Sequence, residues 1–149
     1  MVREARARIA NSEIGDIRNV EVEYLQGWLN DRQELTDNKQ ASWRGKAQFA
    51  GPGRLATLVL TPGSWRRLSL VWSQESIRGE LLTRIEGREL DDEVFAEVRY
   101  ANGARGRLWA CQVAPGFEND LRLRIVGSSR RFWKSIRCTA IVTLSRVTA

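Results

Sequence analysis

The fold class is decided by residues 94–113, whose sequence is VFAEVRYANGARGRLWACQV. Apolar side chains occupy every second position from Val94 to Tyr100, which is the period of a strand with one buried face. Asn102-Gly103 follows, and both residues tolerate the positive φ that a tight hairpin turn requires. The segment therefore predicts a β-hairpin whose return strand covers residues 107–113.

The same alternation recurs along most of the chain after residue 42, with glycine- or proline-containing turns between many of the segments. Short strands spaced in this way are typical of an all-β sandwich or barrel rather than of βαβ units. We therefore predict an all-β fold of about eight mainly antiparallel strands, with an α+β fold as the alternative. The predicted strands lie around residues 43–49, 55–60, 68–72, 77–85, 94–100, 107–113, 121–125 and 132–147.

The N-terminal 40 residues carry a different pattern. Apolar residues recur at roughly helical spacing between Val20 and Leu35, and Asp16 is a suitable N-cap, so we predict an amphipathic helix over residues 17–36. Gly27 weakens that helix, because glycine inside a helix costs about 1 kcal/mol relative to alanine. A short strand over residues 20–24 is the alternative.

The domain prediction is a single β-rich unit spanning residues 1–149, a length that can bury a sizeable core. Residues 1–40 form a helical or extended segment that packs on a sandwich or barrel formed by residues 42–149. Within the first segment, residues 2–10 fit either a helix or a strand. Arginine alternates there with small and apolar residues, which favours the strand.

Charge is distributed unevenly along the sequence. Residues 99–149 contain ten arginine and lysine residues against two acids, whereas residues 1–98 carry a net charge of −2. Arginine is strongly preferred over lysine, with 21 residues against three. A surface of one sign attracts polyanions, and guanidinium groups bind phosphate or carboxylate in bidentate fashion. GC-rich coding is the alternative explanation for the arginine excess.

The chain contains no histidine, which removes a large class of chemistry. A Ser–His or Cys–His nucleophile pair and any metal site with histidine ligands are excluded. The two cysteines, Cys111 and Cys138, fall on apolar strand faces and are predicted to be buried, reduced thiols. We predict no catalytic residues, no metal and no cofactor, and therefore no enzyme.

An acidic cluster at a predicted turn is the one group of residues suited to acid–base chemistry or to a hard cation. The simpler interpretation is a solvated, highly charged hairpin tip, and this is our prediction. The cluster comprises Glu86, Glu89, Asp91, Asp92 and Glu93.

The arginines of the C-terminal third fall at alternate strand positions, so that pairs such as Arg122 and Arg124 point to the same side of a sheet. Aromatic residues lie among them, and single-stranded nucleic acid is bound by such faces of cations and rings. An outer face whose arginines are solvated or paired with glutamates is the alternative. The predicted polyanion-binding residues are Arg105, Arg107, Arg122, Arg124, Arg130, Arg131, Phe132, Trp133, Lys134 and Arg137.

Two functional hypotheses follow. The first is a non-enzymatic binding or structural protein whose basic sheet face contacts a polyanion, most naturally nucleic acid. The alternative is an assembly module, a homo-oligomer or a subunit of a larger particle, whose arginines pair with acids of a neighbouring subunit. Tyr24, Trp28 and Trp65 are the predicted anchors at such a protein interface, where tryptophan and tyrosine are enriched.

The predicted location is inside a cell or in a virion. The first eight residues include four charged side chains and no apolar stretch follows them, so no secretory leader is expected. No apolar run approaches the roughly 20 residues of a membrane span, so no membrane partner is expected.

Overall fold

The computed structural model describes residues 2–39, 73–136 and 140–146. In these ranges the chain forms one α-helix, one 3₁₀ turn (Gln33–Leu35) and seven strands. The elements in chain order are α1 (Val2–Ala10), β1 (Ile17–Leu25), β2 (Gln74–Leu82), β3 (Glu93–Tyr100), β4 (Arg105–Cys111), β5 (Asp120–Gly127), β6 (Arg130–Ile136) and β7 (Ala140–Arg146).

All seven strands belong to one sheet with the order β2-β3-β4-β1-β5-β6-β7. Neighbouring strands are antiparallel except for β1 and β4, which run parallel in the middle of the sheet. The sheet is open and mixed, with β2 and β7 as its edges in the described part of the chain. The prediction of an all-β sandwich or barrel is therefore wrong.

The N-terminal segment differs most from its prediction. The helix predicted over residues 17–36 is wrong, since Ile17–Leu25 is the central strand β1 and the alternative strand over residues 20–24 is confirmed. Val20 and Val22 are buried on one side of the sheet while Glu21 and Glu23 lie on the other. The period of two decides the structure here, because β1 has hydrogen-bonded neighbours on both sides.

Residues 2–10 form a helix rather than the favoured strand. Ala5 is fully buried and Ile9, four residues later, packs against the same core, so the spacing of one helical turn decides the burial. Arg8 also pairs with Glu4 one turn earlier, at 3.3 Å between Nη2 and Oε1. The alternation of small residues with arginine resembles the pattern of a strand. Only Ala5 and Ile9, one helical turn apart, pack against the core of the sheet.

The predicted hairpin over residues 94–113 is confirmed. β3 and β4 pair antiparallel, and Gly103 has φ +83° in the turn between them. The long final strand predicted over residues 132–147 is wrong, because β6 and β7 are two strands that pair antiparallel with each other. The strands predicted around residues 43–49, 55–60 and 68–72 lie outside the described residues.

The two faces of the sheet have different compositions. One face, called the core face here, carries the apolar residues and is contacted by α1. The opposite face, called the outer face, carries charged residues together with Phe95 and Trp109, whose rings stack at 5.6 Å between centroids. The buried side chains of the core cluster include Ile14, Val20, Val94, Val98, Tyr100, Leu108, Leu123, Ile125 and Phe132.

Tyr100 makes the stability of the core sensitive to alkaline pH. Burial raises the pKa of its phenol to about 12, against about 10 in an unfolded chain. Between these values the unfolded chain loses the proton that the folded protein keeps, so stability is complete below about pH 10 and falls above it. We expect urea unfolding to show an alkaline loss of at most about 1.4 kcal/mol per pH unit that Tyr100→Phe removes. An identical alkaline loss in the variant would contradict this assignment.

The structure also bears on the predictions for the cysteines and for a membrane span. Cys111 is buried and free, as predicted, and burial raises the pKa of its thiol; Cys138 lies outside the described residues. No helix within the described ranges is long and apolar enough to cross a membrane. The predicted location, inside a cell or in a virion, stays a prediction.

Candidate functional site

Buried polar side chains are concentrated at one end of the sheet. In the part of the chain that the structure describes, the buried polar residues are Asp92, Glu93, Gln112 and Asp120. Glu93 lies opposite Cys111 in the register of β3 and β4, and Asp120 lies opposite Leu25 in that of β5 and β1. We call this group of four residues the polar end.

The polar end coincides with the carboxyl ends of the only parallel pair among the described strands. β1 ends at Leu25 and β4 ends at Cys111, and these two residues are register partners. In open sheets with parallel strands, ligands bind outside the carboxyl ends of the strands. Buried carboxylate and amide groups are concentrated at that position, and ligand sites commonly contain a few such well-placed polar groups. The polar end is therefore the candidate functional site.

Asp92 is held by donors from the turn that precedes β3. Its carboxylate accepts hydrogen bonds from the backbone N–H groups of Arg84 (2.8 Å) and Ile85 (3.2 Å) and from Nη1 of Arg88 (3.0 Å). The side chain is fully buried. The prediction of a solvated hairpin tip is therefore wrong for Asp92, although Glu86 and Glu89 of the same cluster are exposed.

Glu93 is the second buried acid of that cluster and has two partners. Its Oε1 accepts a hydrogen bond from the indole Nε1 of Trp109 at 2.9 Å, and its Oε2 pairs with the Arg84 guanidinium. The hydrogen bond to Glu93 raises the pKa of Arg84. No group of acids or cysteines in the described ranges is arranged to hold a metal ion. Asp92 and Glu93 are thus buried carboxylates bound by arginine, backbone N–H and indole donors.

The loop after β1 closes over the polar end. We call residues 26–30 the β1 loop. The N–H of Leu29 donates to the carbonyl of Gln112 at 3.1 Å, and Nη2 of Arg88 donates to the carbonyl of Leu29 at 2.8 Å. At the rim, Nε2 of Gln26 donates to Oδ1 of Asn119 at 3.1 Å. Gln112, Asp120 and Arg88 were missed in the sequence because each becomes part of a site only when strand ends meet.

The predicted basic face is divided by acids of the central strand. Glu21 of β1 lies between β4 and β5, with Arg107 at 3.3 Å on one side and Arg124 at 2.6 Å on the other. Arg122 lies 3.5 Å from Glu23 and 2.7 Å from Asp120. The outer face is therefore one of paired charges, as in the alternative that the sequence left open.

The remaining predicted site residues are spread over both faces. Arg105 and Arg131 are exposed, and half-buried Trp133 lies beside Arg124 in the register. Phe132 has no exposed surface and belongs to the core, and Lys134 pairs with Glu4 of α1 at 2.7 Å, so neither can belong to a basic outer face. Arg130 is half-buried at the start of β6, and Arg137 lies outside the described residues.

The predicted interface residues are also separated. Tyr24 packs against the core cluster, which makes it a poor anchor for a partner. Trp28 is half-buried in the β1 loop, next to the polar end. Trp65 lies outside the residues that the structure describes. A protein interface at Trp28 stays a prediction.

Arg122 and Arg107 of the outer face are expected to contribute unequally to stability, because Arg122 pairs with the buried Asp120. Arg122→Ala is expected to lower the free energy of unfolding by about 1–3 kcal/mol, because it removes an ion-pair partner of the nearly inaccessible Asp120 carboxylate. Arg107→Ala is the matched control, expected to cost about 0.2–1 kcal/mol, because Arg107 is 71% exposed and pairs at the surface. Equal losses in chemical denaturation would contradict the distinction.

Three comparisons place this geometry among known proteins. The family model described as "GFO/IDH/MocA C-terminal domain" matches residues 2–132. The levoglucosan dehydrogenase of Pseudarthrobacter phenanthrenivorans is 30% identical over 146 residues, covering 83% of this chain and 36% of that protein. The chain thus spans little more than a third of the length of this relative.

Solved structures agree with the fold. An inositol dehydrogenase homolog from Azotobacter vinelandii, complexed with NAD+, matches with a TM-score of 0.81 at 21% identity, over 97% of this chain and 40% of that one. Levoglucosan dehydrogenase in complex with NADH and levoglucosan matches with a TM-score of 0.70 at 26% identity, over 96% of this chain and 43% of that one.

These relatives correct the functional predictions. The predictions of a nucleic-acid-binding or assembly protein, and of a protein that is not an enzyme, are wrong, because the relatives are dehydrogenases whose solved complexes contain NAD(H) and a sugar. The positive net charge of the C-terminal third does not produce a free basic face, because Glu21 of β1 pairs with Arg107 of β4 and Arg124 of β5. The match over residues 2–132 shows that this chain belongs to the GFO/IDH/MocA C-terminal domain family.

Proposed function

We propose that this chain supplies the sugar- or polyol-binding side of an NAD(H)-linked oxidoreductase, with the polar end as its binding site. The observation that carries the proposal is the position of Asp92, Glu93, Gln112 and Asp120 at the carboxyl ends of β1 and β4. Sugars and polyols present many hydroxyl groups, and carboxylate and amide oxygens accept hydrogen bonds from hydroxyls.

The nature of the relatives supports the substrate class. The curated relative is a levoglucosan dehydrogenase, and the solved structure at 26% identity holds levoglucosan itself. Half-buried Trp28 lies in the β1 loop, next to Leu29, whose N–H donates to the carbonyl of Gln112. Binding sites for small molecules commonly combine aromatic walls with a few well-placed polar groups.

The described residues do not fit the dinucleotide cofactor. A dinucleotide is bound where a strand leads through a glycine-rich turn into a helix, whose N-terminus receives the pyrophosphate. The one α-helix in the described ranges, α1, precedes every strand instead of following one. The chain's described part is thus suited to the substrate and not to NAD(H), and we assign it no step in hydride transfer.

The predicted single-domain organisation of residues 1–149 is retained as part of this proposal. Two observations support it: β1, close to the start of the chain, pairs with both β4 and β5, and Lys134 of β6 pairs with Glu4 of α1. These long-range contacts tie the described segments into one sheet and one core.

Titration of the full chain with levoglucosan, and separately with myo-inositol, tests the proposal. We expect saturable shifts of backbone amide resonances in the β1 loop and at Gln112 and Asn119, and no binding of NADH in a parallel fluorescence titration. Asn119→Ala should weaken sugar binding, because Asn119 is exposed at the rim of the polar end.

The matched control is Asn19→Ala, which removes the same exposed amide from the opposite end of β1. It should leave sugar binding unchanged. Absence of saturable shifts with both sugars, or shifts confined to strand residues away from the polar end, would contradict the proposed function.

A further inference from the structure

The β1 loop is held at Leu29, where both the backbone N–H and the backbone carbonyl form hydrogen bonds. The N–H of Leu29 donates to the carbonyl of Gln112, which follows β4, and the carbonyl of Leu29 accepts from Arg88, which lies 59 residues away in the turn before β3. The Leu29 side chain is itself buried. Two other segments of the chain, the turn before β3 and the residue that follows β4, therefore determine how Leu29 lies over the polar end.

The guanidinium that reaches Leu29 belongs to a buried ion pair. Nη1 of Arg88 lies 3.0 Å from Oδ2 of Asp92, and the two side chains are 3% and 0% exposed. Asp92 is also tied into the sheet through its backbone, because its N–H donates to Leu82 and its carbonyl accepts from Gln112. Arg88 thus connects the β1 loop to a carboxylate whose position is set by β3 and β4.

A buried ion pair adds little net stability to a fold, because its two charges lose their hydration. Removing two charges from water costs about as much as their attraction returns, and apolar residues of similar volume often serve stability equally well. Buried pairs are better explained where they fix one arrangement of the chain among several. Here the arrangement fixed is that of the β1 loop, since the second Nη of Arg88 is directed to the Leu29 carbonyl.

We propose that Arg88 and Asp92 are positioning residues that hold the β1 loop in the geometry required to bind a sugar or polyol at the polar end. The sugar part of this inference rests on the proposed function; the loop part rests on the contacts alone. Asp92 acts here through the loop and not by contact with the ligand, because its side chain is fully buried and its carboxylate is already bound by Arg84, Ile85 and Arg88. The effect is transmitted through the Leu29 peptide to its neighbours Trp28 and Asn30. Gln26 and Gly27 are held separately, because their N–H groups donate to the carbonyls of Cys111 and Phe117.

The decisive variant is the double replacement Arg88→Met with Asp92→Leu. It removes both charges together, so no charge is left buried without a partner, while the donor to Leu29 is lost. We expect a folded protein with a lowered midpoint of unfolding, because the N–H groups of Arg84 and Ile85 lose the carboxylate that they share. Amide hydrogen exchange at Leu29 and Asn30 should accelerate at least tenfold, and affinity for levoglucosan or myo-inositol should fall about tenfold.

A matched control removes an ion pair of the same kind from the outer face. Arg107→Met with Glu21→Leu deletes two paired charges that do not contact the β1 loop. Exchange at Leu29 and sugar affinity should both stay at their wild-type values. A loss of affinity common to both double variants would overturn the proposal, because it would show a general effect of removing charge.

Arg88→Lys keeps the positive charge beside Asp92 while offering a single ammonium in place of a two-armed guanidinium, and it serves if the double variant does not fold. We expect a folded protein with faster exchange at Leu29 and weaker sugar binding. Wild-type exchange and affinity in either variant would overturn the proposal. If the wild-type chain binds neither sugar, the proposed function fails, whereas exchange at Leu29 still decides whether the pair holds the loop.

Discussion

Asp92→Ala is expected to lower the free energy of unfolding by about 3–5 kcal/mol, the loss typical of breaking a buried ion pair from one side. The variant leaves the Arg88 side chain, 3% exposed, without its carboxylate. It also leaves the N–H groups of Arg84 and Ile85 without the acceptor that they share. Urea denaturation followed by far-UV circular dichroism measures the loss.

The control for this prediction is Glu80→Ala, because Glu80 is an exposed acid on the edge strand β2. Its replacement should change stability by no more than about 0.5 kcal/mol. A similar loss at both positions would mean that net charge, and not the buried contacts of Asp92, determines the effect. A loss below about 1 kcal/mol at Asp92 would contradict its placement.

Phe132→Ala is expected to cost about 3–5 kcal/mol, the usual loss for removing a buried phenylalanine. Phe132 has no exposed surface and packs in the core cluster, opposite Ile125 in the register of β5 and β6. Truncation leaves a cavity that the surrounding strands cannot fill without disturbing their hydrogen bonds. Calorimetric or chemical unfolding of the variant tests this value.

Phe95→Ala is the matched control, since it makes the same deletion on the outer face. Phe95 is 41% exposed and stacks on Trp109, so the loss should be limited to that ring contact and part of its burial, about 1 kcal/mol. Equal losses for Phe95 and Phe132 would contradict the assignment of core and outer faces. A loss of stability below about 1 kcal/mol for Phe132→Ala would contradict its burial and favour the surface position predicted from the sequence.

Strands with local partners were predictable from the sequence. The hairpin of β3 and β4 was recognised from alternation and from Asn102-Gly103, and β5 was recognised from alternation alone. Both depend on side chains within a few residues of one another. The sequence favours a helix for β1, because the apolar residues at its end and in the β1 loop recur at helical spacing.

The candidate site was only partly predictable. Asp92 and Glu93 stood out as acids directly before an alternating strand, and Asp120 stands in the same relation to β5. Sequence alone assigned the acids of the turn to the solvent, because Leu29, Gln112 and Trp109 are distant along the chain. The absence of histidine excluded one set of catalytic groups and did not exclude an oxidoreductase, whose redox chemistry is carried by its cofactor.

By itself, the sequence determined which strands are amphipathic and which segment carries the positive charge. Only the tertiary structure decided what that charge contacts. β1 comes from the acidic part of the chain and is placed between β4 and β5, so that Glu21 meets Arg107 and Arg124. Strand order is set by burial of the apolar faces over the whole sheet, a long-range property that local patterns do not contain. For the same reason, the carboxyl ends of β1 and β4 meet, and four buried polar residues gather there.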